Sequence, residues 1–353
     1  MVTLEQRFNA FIKLGEFFRN FTKTSSDNLS SADVSDEWYS NFESAITLAG
    51  HKNGWFTNQQ VMFAIIAWAE QLSEKNLNEW LLRYPLENNT HKTVAIIMAG
   101  NIPLVGFHDF VTTLICGNRV LVKCSSNDNI LLPFIANYLK HIEPGLVSEI
   151  EFSDGRLTKF DVVIATGSNN TARYFEHYFG NKPNIIRKNR NSIAILTGEE
   201  TKEQLNELGE DIFRYYGLGC RNVSKLFVPI DYNFDDFFES INTYQSLIDQ
   251  NKYANNYDYN KAVYLMSEFQ FLDNGFFLLK EDMGYASPIG TAFYERYTTA
   301  DDLKKRLQKD TDQIQCIVGG DIIENSLPFG KTQKPDLWDY ADGIDTVEFL
   351  LKT

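Results

Sequence analysis

From His91 onward, short runs with few polar interruptions alternate with stretches of helical periodicity, and this alternation restricts the fold more than any other feature of the chain. Thr93–Met98 (TVAIIM), Arg119–Lys123 (RVLVK) and Phe160–Ala165 (FDVVIA) are shorter than ordinary helices and rich in β-branched residues, as strands covered on both faces are. Val105–Cys116 and Asp128–Leu139 have helical spacing, and a further helix is expected after Gly167. Strands alternating with helices predict an α/β fold built on a doubly wound parallel sheet. Such sheets bind dinucleotides at the carboxyl ends of their strands.

On either side of this region the pattern differs. Met1 to about Leu86 is expected to be largely helical, because Phe8, Phe11, Ile12, Phe17, Phe18 and Phe21 recur every three or four positions and Val61–Leu72 follows suit. The polar stretch Thr24–Asp36 between them is expected to be a loop. A second αβ region opens at Ser192–Leu196 (SIAIL), continues with a helix over Lys202–Tyr216 and reaches a strand at Leu226–Pro229. Helices at Phe234–Gln250 and Thr299–Gln308 then flank short strands such as Gly290–Tyr294. The polar, basic stretch Lys182–Asn191 marks the expected boundary. Residues 1–189 would form a helical region with a dinucleotide-binding domain, 190–325 a catalytic αβ domain, and 326–353 a C-terminal return segment with oligomerisation as its candidate role.

Composition excludes several classes. A formal net charge of −14 opposes a broad nucleic-acid footprint, and a polyanionic ligand would have to be held by helix N-termini and a few placed cations. The longest apolar run, Val61–Ala69, is far below the roughly 18 to 20 residues that cross a bilayer. Met1–Asn20 carries Glu5, Arg7, Lys13, Glu16 and Arg19, unlike the apolar core of a signal peptide. The four cysteines lack a CxxC pair and the five histidines lack ligand spacing, so no metal site and no disulfide framework are expected, and a reducing, cytoplasmic compartment fits.

One thiol has a distinctive setting. Cys220 lies in YYGLGCRNVSK, with glycines on its N-terminal side, which allow close backbone approach, and Arg221 after it, a cation that favours thiolate. Composition alone leaves a nucleophile and a small buried hydrophobe equally open. Cys116, Cys124 and Cys316, in or beside apolar elements, suit structural roles.

The order of motifs around Cys220 resembles the aldehyde dehydrogenase superfamily, and most closely its LuxC-like acyl-CoA reductase family, from about residue 91 to 335. Gly100-Asn101-Ile102-Pro103-Leu104 is similar to the N-x-P-L element, which implies that Asn101 donates to the oxyanion of a thiohemiacetal; the alternative is a helix cap. Val120–Ser126 is similar to the strand whose terminal Lys, here Lys123, meets the adenosine ribose. Ser125 and Ser126 follow it, and Ser126 stands where NAD-preferring members carry an acidic residue. A carboxylate would repel a 2′-phosphate, so the resemblance implies NADPH, with NADH also possible. Thr166-Gly167-Ser168 resembles the turn that presents a helix N-terminus to the pyrophosphate.

An absence shapes the implied chemistry. Aligned without gaps, the superfamily's E-L-G-G-K-S-P-A-I-V falls on Arg187–Leu196, placing Arg187 where hydrolytic members hold the general base that activates deacylating water. Without that base an acyl-enzyme should persist until hydride or CoA resolves it. Arg187, Arg190 and Arg221 are candidate phosphate or substrate contacts; a solvated basic linker is the alternative for the first two. Ser287-Pro288-Ile289-Gly290 resembles a segment preceded by a ribose-binding Glu, but Gly284 occupies that place, with Glu281 and Asp282 close by. Leu327-Pro328-Phe329-Gly330 looks like the late element at the substrate entrance. The resemblance therefore implies reduction of an acyl-CoA, with long-chain fatty acyl groups among the candidates, through acyl-Cys220. Its rivals are oxidation of an aldehyde to acid or acyl-CoA, a non-catalytic relative of the fold, and acyl transfer involving a partner protein. A homo-oligomer is also expected.

Overall fold

The aromatic spacing of the first residues builds Leu4–Ser26 (α1), which turns Phe11, Leu14, Phe17, Phe18 and Phe21 into the core. Glu37–Lys52 (α2), Asn58–Gln71 (α3) and Glu74–Leu81 (α4) complete a helical layer in which α1 packs on α3. The computed structural model describes residues 2–26, 37–319 and 322–353. Of the expected loop Thr24–Asp36, residues 24–26 finish α1 and 27–36 lie outside the described residues. Two units divide the chain, residues 1–188 with 336–353 and residues 189–335.

In the first unit the apolar runs become strands: Thr93–Ile97 (β1), then Phe107–Ile115 (α5), Arg119–Lys123 (β2), Leu131–Ile142 (α6), Ile150–Phe152 (β3), Val162–Thr166 (β4), Asn169–Phe179 (α7) and Asn184–Arg187 (β5). Their order across the sheet is β3-β2-β1-β4-β5, all parallel. The sequence reading misses β3 and β5, both edge strands, and β5 occupies part of the polar stretch taken as a boundary. The order reverses at β1, whose neighbours are β2 and β4. Doubly wound sheets hold ligands at the strand carboxyl ends beside such a reversal. Residues 336–353 return to this unit: Trp80 Nε1 donates to Tyr340 Oη (2.7 Å), and Tyr84 Oη donates to Asp345 (2.6 Å).

The second unit contains Asn191–Ile195 (β6), Lys202–Phe213 (α8), Val223–Pro229 (β7), Asp235–Ile241 (α9), Asn251–Met266 (α10), Phe271–Asp273 (β8), Leu278–Glu281 (β9), Thr291–Tyr297 (β10), Ala300–Lys309 (α11) and Ile314–Val318 (β11). The sheet runs β11-β6-β7-β10-β9-β8, parallel except at the β8 edge. Two expected helices are shorter than their patterns. The span 202–216 leaves α-helix at Phe213, where Tyr215 and Tyr216 adopt left-handed φ of 53° and 59°, a conformation L-residues avoid in helices. Phe234–Gln250 breaks after Ile241 into 3₁₀ turns over Asn242–Asp249. β7 begins three residues before the expected strand because Lys225 is buried within it. Its ammonium donates to Glu295 (3.0 Å) and to the Asp282 carbonyl, and Arg306 pairs with the same Glu295; burial holds Lys225 below the usual lysine range.

Candidate active site

The strand carboxyl ends of the first unit that flank the reversal are those of β1, β2 and β4. After β1 the chain turns through Gly100 and Asn101 before α5, which begins at Phe107 with Gly106 at its N-cap. Asn101 therefore does not cap α5, and the capping alternative is excluded. Leu104, buried and left-handed at φ 58°, donates its N–H to Asp128 Oδ2 at 3.2 Å. Asp128 closes the turn that starts at Ser125, its own N–H donating to the Ser125 carbonyl at 3.1 Å. Burial pushes the Asp128 carboxyl up to about 6. Asn101 and the Ser125–Ser126 turn thus belong to one packed pair of loops. Lys123, at the end of β2, sends its ammonium to the Gly155 carbonyl at 2.9 Å.

Contact between these loops depends on Gly100. A Cβ there would stand 2.6 Å from both Cβ and Oγ of Ser125 and 3.2 Å from the Asp128 nitrogen. Gly100→Ala should therefore cost about 1–3 kcal/mol through overpacking. Gly155→Ala is its control, because nothing lies within 4 Å of a Cβ at that position. A fall in melting temperature for the first substitution, with none for the second, is the expected result of thermal melts.

At the end of β4, Thr166 leads into Gly167, whose N–H donates to the Arg187 carbonyl (3.3 Å) on β5. Ser168 is the N-cap of α7: its Oγ accepts from the Thr171 N–H at 3.2 Å. A Cβ on Gly167 would meet Thr171 at 3.0 Å and Phe175 at 3.1 Å, so glycine lets the strand end enter the helix closely. The positive end of α7 is thereby set at the carboxyl end of β4, the strand next to β1 in the sheet.

Arg187 departs from its expected role. It is 6% exposed, and its two Nη atoms face the Asp109 carboxylate on α5, Nη2 donating to Oδ1 at 2.9 Å and Nη1 to Oδ2. Nη2 also donates to Thr346 Oγ1 at 3.3 Å, in the returning segment. The guanidinium is thus an internal tie, which corrects both its reading as a phosphate contact and its reading as a solvated linker. Lys188, half exposed, pairs with Glu176.

In the second unit, Cys220 occupies the turn before β7, at the amino end of that strand. Of the four cysteines, all described, it alone is exposed, whereas Cys116 and Cys316 are buried. Burial also pushes the Cys116 and Cys124 thiols up to about 12, which leaves them protonated at neutral pH. Ser192 Oγ donates to the Cys220 carbonyl (3.0 Å), and the Gly219 N–H donates to Asn222 Oδ1 (2.7 Å). Arg221 Nε donates to the Thr332 carbonyl (2.6 Å), just past the Leu327–Gly330 element. Arg190 reaches the Ile314 carbonyl (3.4 Å). Near the expected ribose-binding position, the Asp282 carboxylate is engaged by Lys280 and by the Gly284 N–H (2.8 Å).

Asp211, Asn222 and Thr332 were not among the residues picked out by sequence. Asn222 carried one available signal, its place two residues after Cys220; Asp211 and Thr332 meet only through the fold. Among the described residues no group of three His, Cys, Asp or Glu could hold a metal, and no helix is long and apolar enough to cross a membrane.

Comparison with known proteins gives this geometry its context. Aldehyde dehydrogenase 21 from Physcomitrella patens, in complex with its reaction product succinate, superposes with a TM-score of 0.65 at 12% identity, over 91% of this chain and 74% of that one. The aldehyde dehydrogenase KauB from Pseudomonas aeruginosa gives 0.64 at 12% identity, over 90% and 72%. Aldehyde dehydrogenase C from Pseudomonas syringae, a mutant complexed with NAD+ and octanal, gives 0.64 at 11%, over 91% and 73%. At such identities the likeness establishes the fold, which is that of the aldehyde dehydrogenases. No curated protein matches the sequence significantly. The acyl-CoA reductase (LuxC) profile, however, matches residues 74–277, more than half of the chain. The chain belongs to the acyl-CoA reductase (LuxC) family.

Proposed function

We propose that the protein reduces an acyl-CoA thioester to the aldehyde through an acyl-Cys220 intermediate, with NADPH preferred to NADH as the hydride donor. The observation that carries this reading is the exposure of Cys220, alone among the cysteines, on a turn whose backbone is held on both sides of the thiol. The thiolate attacks the thioester carbonyl; a carbon–sulfur bond to Cys220 forms, and the bond to CoA breaks with release of the CoA thiolate. Asn101 is read as a side-chain donor to the tetrahedral oxyanion, with the Cys220 backbone N–H as the other. Because an arginine tied to Asp109 replaces the glutamate of hydrolytic relatives, no side chain at that position activates water, and the acyl-enzyme is spared hydrolysis.

The first unit offers features that fit a dinucleotide: the reversal of strand order at β1, the N-terminus of α7 behind Gly167, and Lys123 with Ser125 and Ser126 at the end of β2. When bound, the nicotinamide would supply the hydride that reduces the acyl carbonyl. Exposed Ser126 leaves room and a hydroxyl for a 2′-phosphate. The test is to follow NADPH and NADH consumption against acyl-CoAs of graded chain length. Consumption of NADPH with release of CoA and aldehyde is expected, and Ser126→Glu should shift the NADPH-to-NADH preference toward NADH by about tenfold or more through repulsion of the 2′-phosphate. Acid formed from aldehyde without CoA would favour the oxidative rival. Cofactor binding with no turnover across the series would favour a non-catalytic relative.

A further inference from the structure

We propose that Asp211 is a positioning residue for Cys220, acting through a closed ring of hydrogen bonds that runs from Asp211 to Thr332, Arg221, Asn222 and back. The proposal rests on the thioester reading of Cys220. Asp211 Oδ1 accepts from the Thr332 N–H (2.9 Å) and hydroxyl (2.8 Å), and Oδ2 accepts from the Gly330 N–H (2.7 Å). The Thr332 carbonyl in turn accepts from Arg221 Nε. Asn222, next to Arg221, donates from Nδ2 to the carbonyls of Asp211 (3.1 Å), Ile212 (3.2 Å) and Arg214 (2.8 Å), which closes the ring on α8. Cys220 sits on its margin, between Gly219, whose N–H is held by Asn222, and Arg221.

Two features separate this ring from ordinary core packing. Asp211 is fully buried, and a carboxylate there is costly to desolvate, whereas an apolar side chain would hold α8 against the sheet at less cost. Burial pushes its carboxyl up to about 6, opposed by the backbone N–H groups of Thr332 and Gly330, so at neutral pH it is mainly the ionised acceptor that its three donors require. The approach to the turn is also strained: Tyr215, Tyr216 and Gly217 are successively left-handed, at φ 53°, 59° and 77°. Such backbone persists only where its surroundings fix it, and the Asn222 bonds to the end of α8 do so. What the ring fixes is the direction in which the thiol leaves the turn.

Asp211→Asn keeps the shape but must turn an amide NH₂ toward an N–H or hydroxyl donor. Thr332→Val removes one hydroxyl, and Thr332→Ser restores it. The variants are compared as full-length protein, well below their melting temperatures, by the single-turnover rate of acyl transfer from a labelled acyl-CoA to Cys220. Asp211→Asn is expected to lower the rate constant about 10- to 100-fold with the half-saturating concentration unchanged, the scale of a nucleophile misplaced by about an ångström. Thr332→Val should lower it about 3- to 10-fold, as loss of one hydrogen bond does, and Thr332→Ser should match wild type. Thr332→Val alone decides the matter if Asp211→Asn fails to fold. Folded Asp211→Asn and Thr332→Val variants that acylate within a factor of about two of wild type overturn the proposal. If wild-type Cys220 takes no acyl group, the thioester reading itself fails. Alkylation by iodoacetamide then still compares the turns, and equal alkylation of wild type and variants overturns positioning as well.

Discussion

Cys220→Ala is expected to abolish thioester reduction, with a loss of about five to six orders of magnitude, as removal of a covalent nucleophile produces elsewhere. The side chain is exposed, and the turn is held by its backbone and by Asn222, so the variant should fold and melt like wild type. Cofactor affinity should also be unchanged, because the proposed dinucleotide contacts, Lys123, Ser126 and Gly167, belong to the other unit. Incubation with a labelled acyl-CoA, followed by denaturation and mass measurement, is the direct check. Label on wild type but not on Cys220→Ala supports the acyl-enzyme; equal labelling of both sinks the nucleophile assignment. Label that survives for many minutes in water and leaves on addition of CoA or reduced cofactor would further support the role inferred from the missing general base.

The second large effect concerns stability. Asp109→Ala should destabilise the first unit by about 3–5 kcal/mol, because it leaves the Arg187 charge buried without its carboxylate. For a unit of this size that corresponds to a melting temperature lower by roughly 10 °C or more. Replacing both partners by apolar residues, Asp109→Leu with Arg187→Met, should recover most of the loss, since no charge then remains to desolvate. A double variant no more stable than Asp109→Ala would show that the pair has little to do with the stability of this region. The same melts report on residues 336–353, because Thr346 shares the Arg187 guanidinium.

Much of the first sheet was legible in the sequence for a physical reason. β1, β2 and β4 lie inside the sheet with their central residues buried, so their sequences are nearly continuous apolar runs. β3 and β5 lie at its edges, with only three and four residues, and β5 falls inside the polar stretch that reads as a boundary. Arg187 was misread on the same ground: its partner Asp109 is 78 residues away, a separation that local pattern does not carry. Ser224 and Lys225 precede the apolar run Leu226–Pro229 and so concealed the start of β7, although Lys225 is fully buried and paired with Glu295. The motif residues Asn101, Lys123, Ser168 and Cys220 could be located because each stands at the end of a strand or beside glycine. The ring around Cys220 could not, since Asp211 reaches Thr332 over 121 residues and neither belongs to a recognisable pattern.

The return of residues 336–353 to the first unit has a consequence for synthesis. As the chain leaves the ribosome, residues 1–188 emerge complete with their sheet, yet Trp80, Tyr84 and Arg187 must wait for Tyr340, Asp345 and Thr346 while the intervening unit is still being made. At about 5–20 residues per second, that wait lasts several seconds to half a minute. During it Arg187 can already meet Asp109, since both lie within residues 1–188, so of its side-chain bonds to Asp109 and Thr346 only the second has to wait for the returning segment.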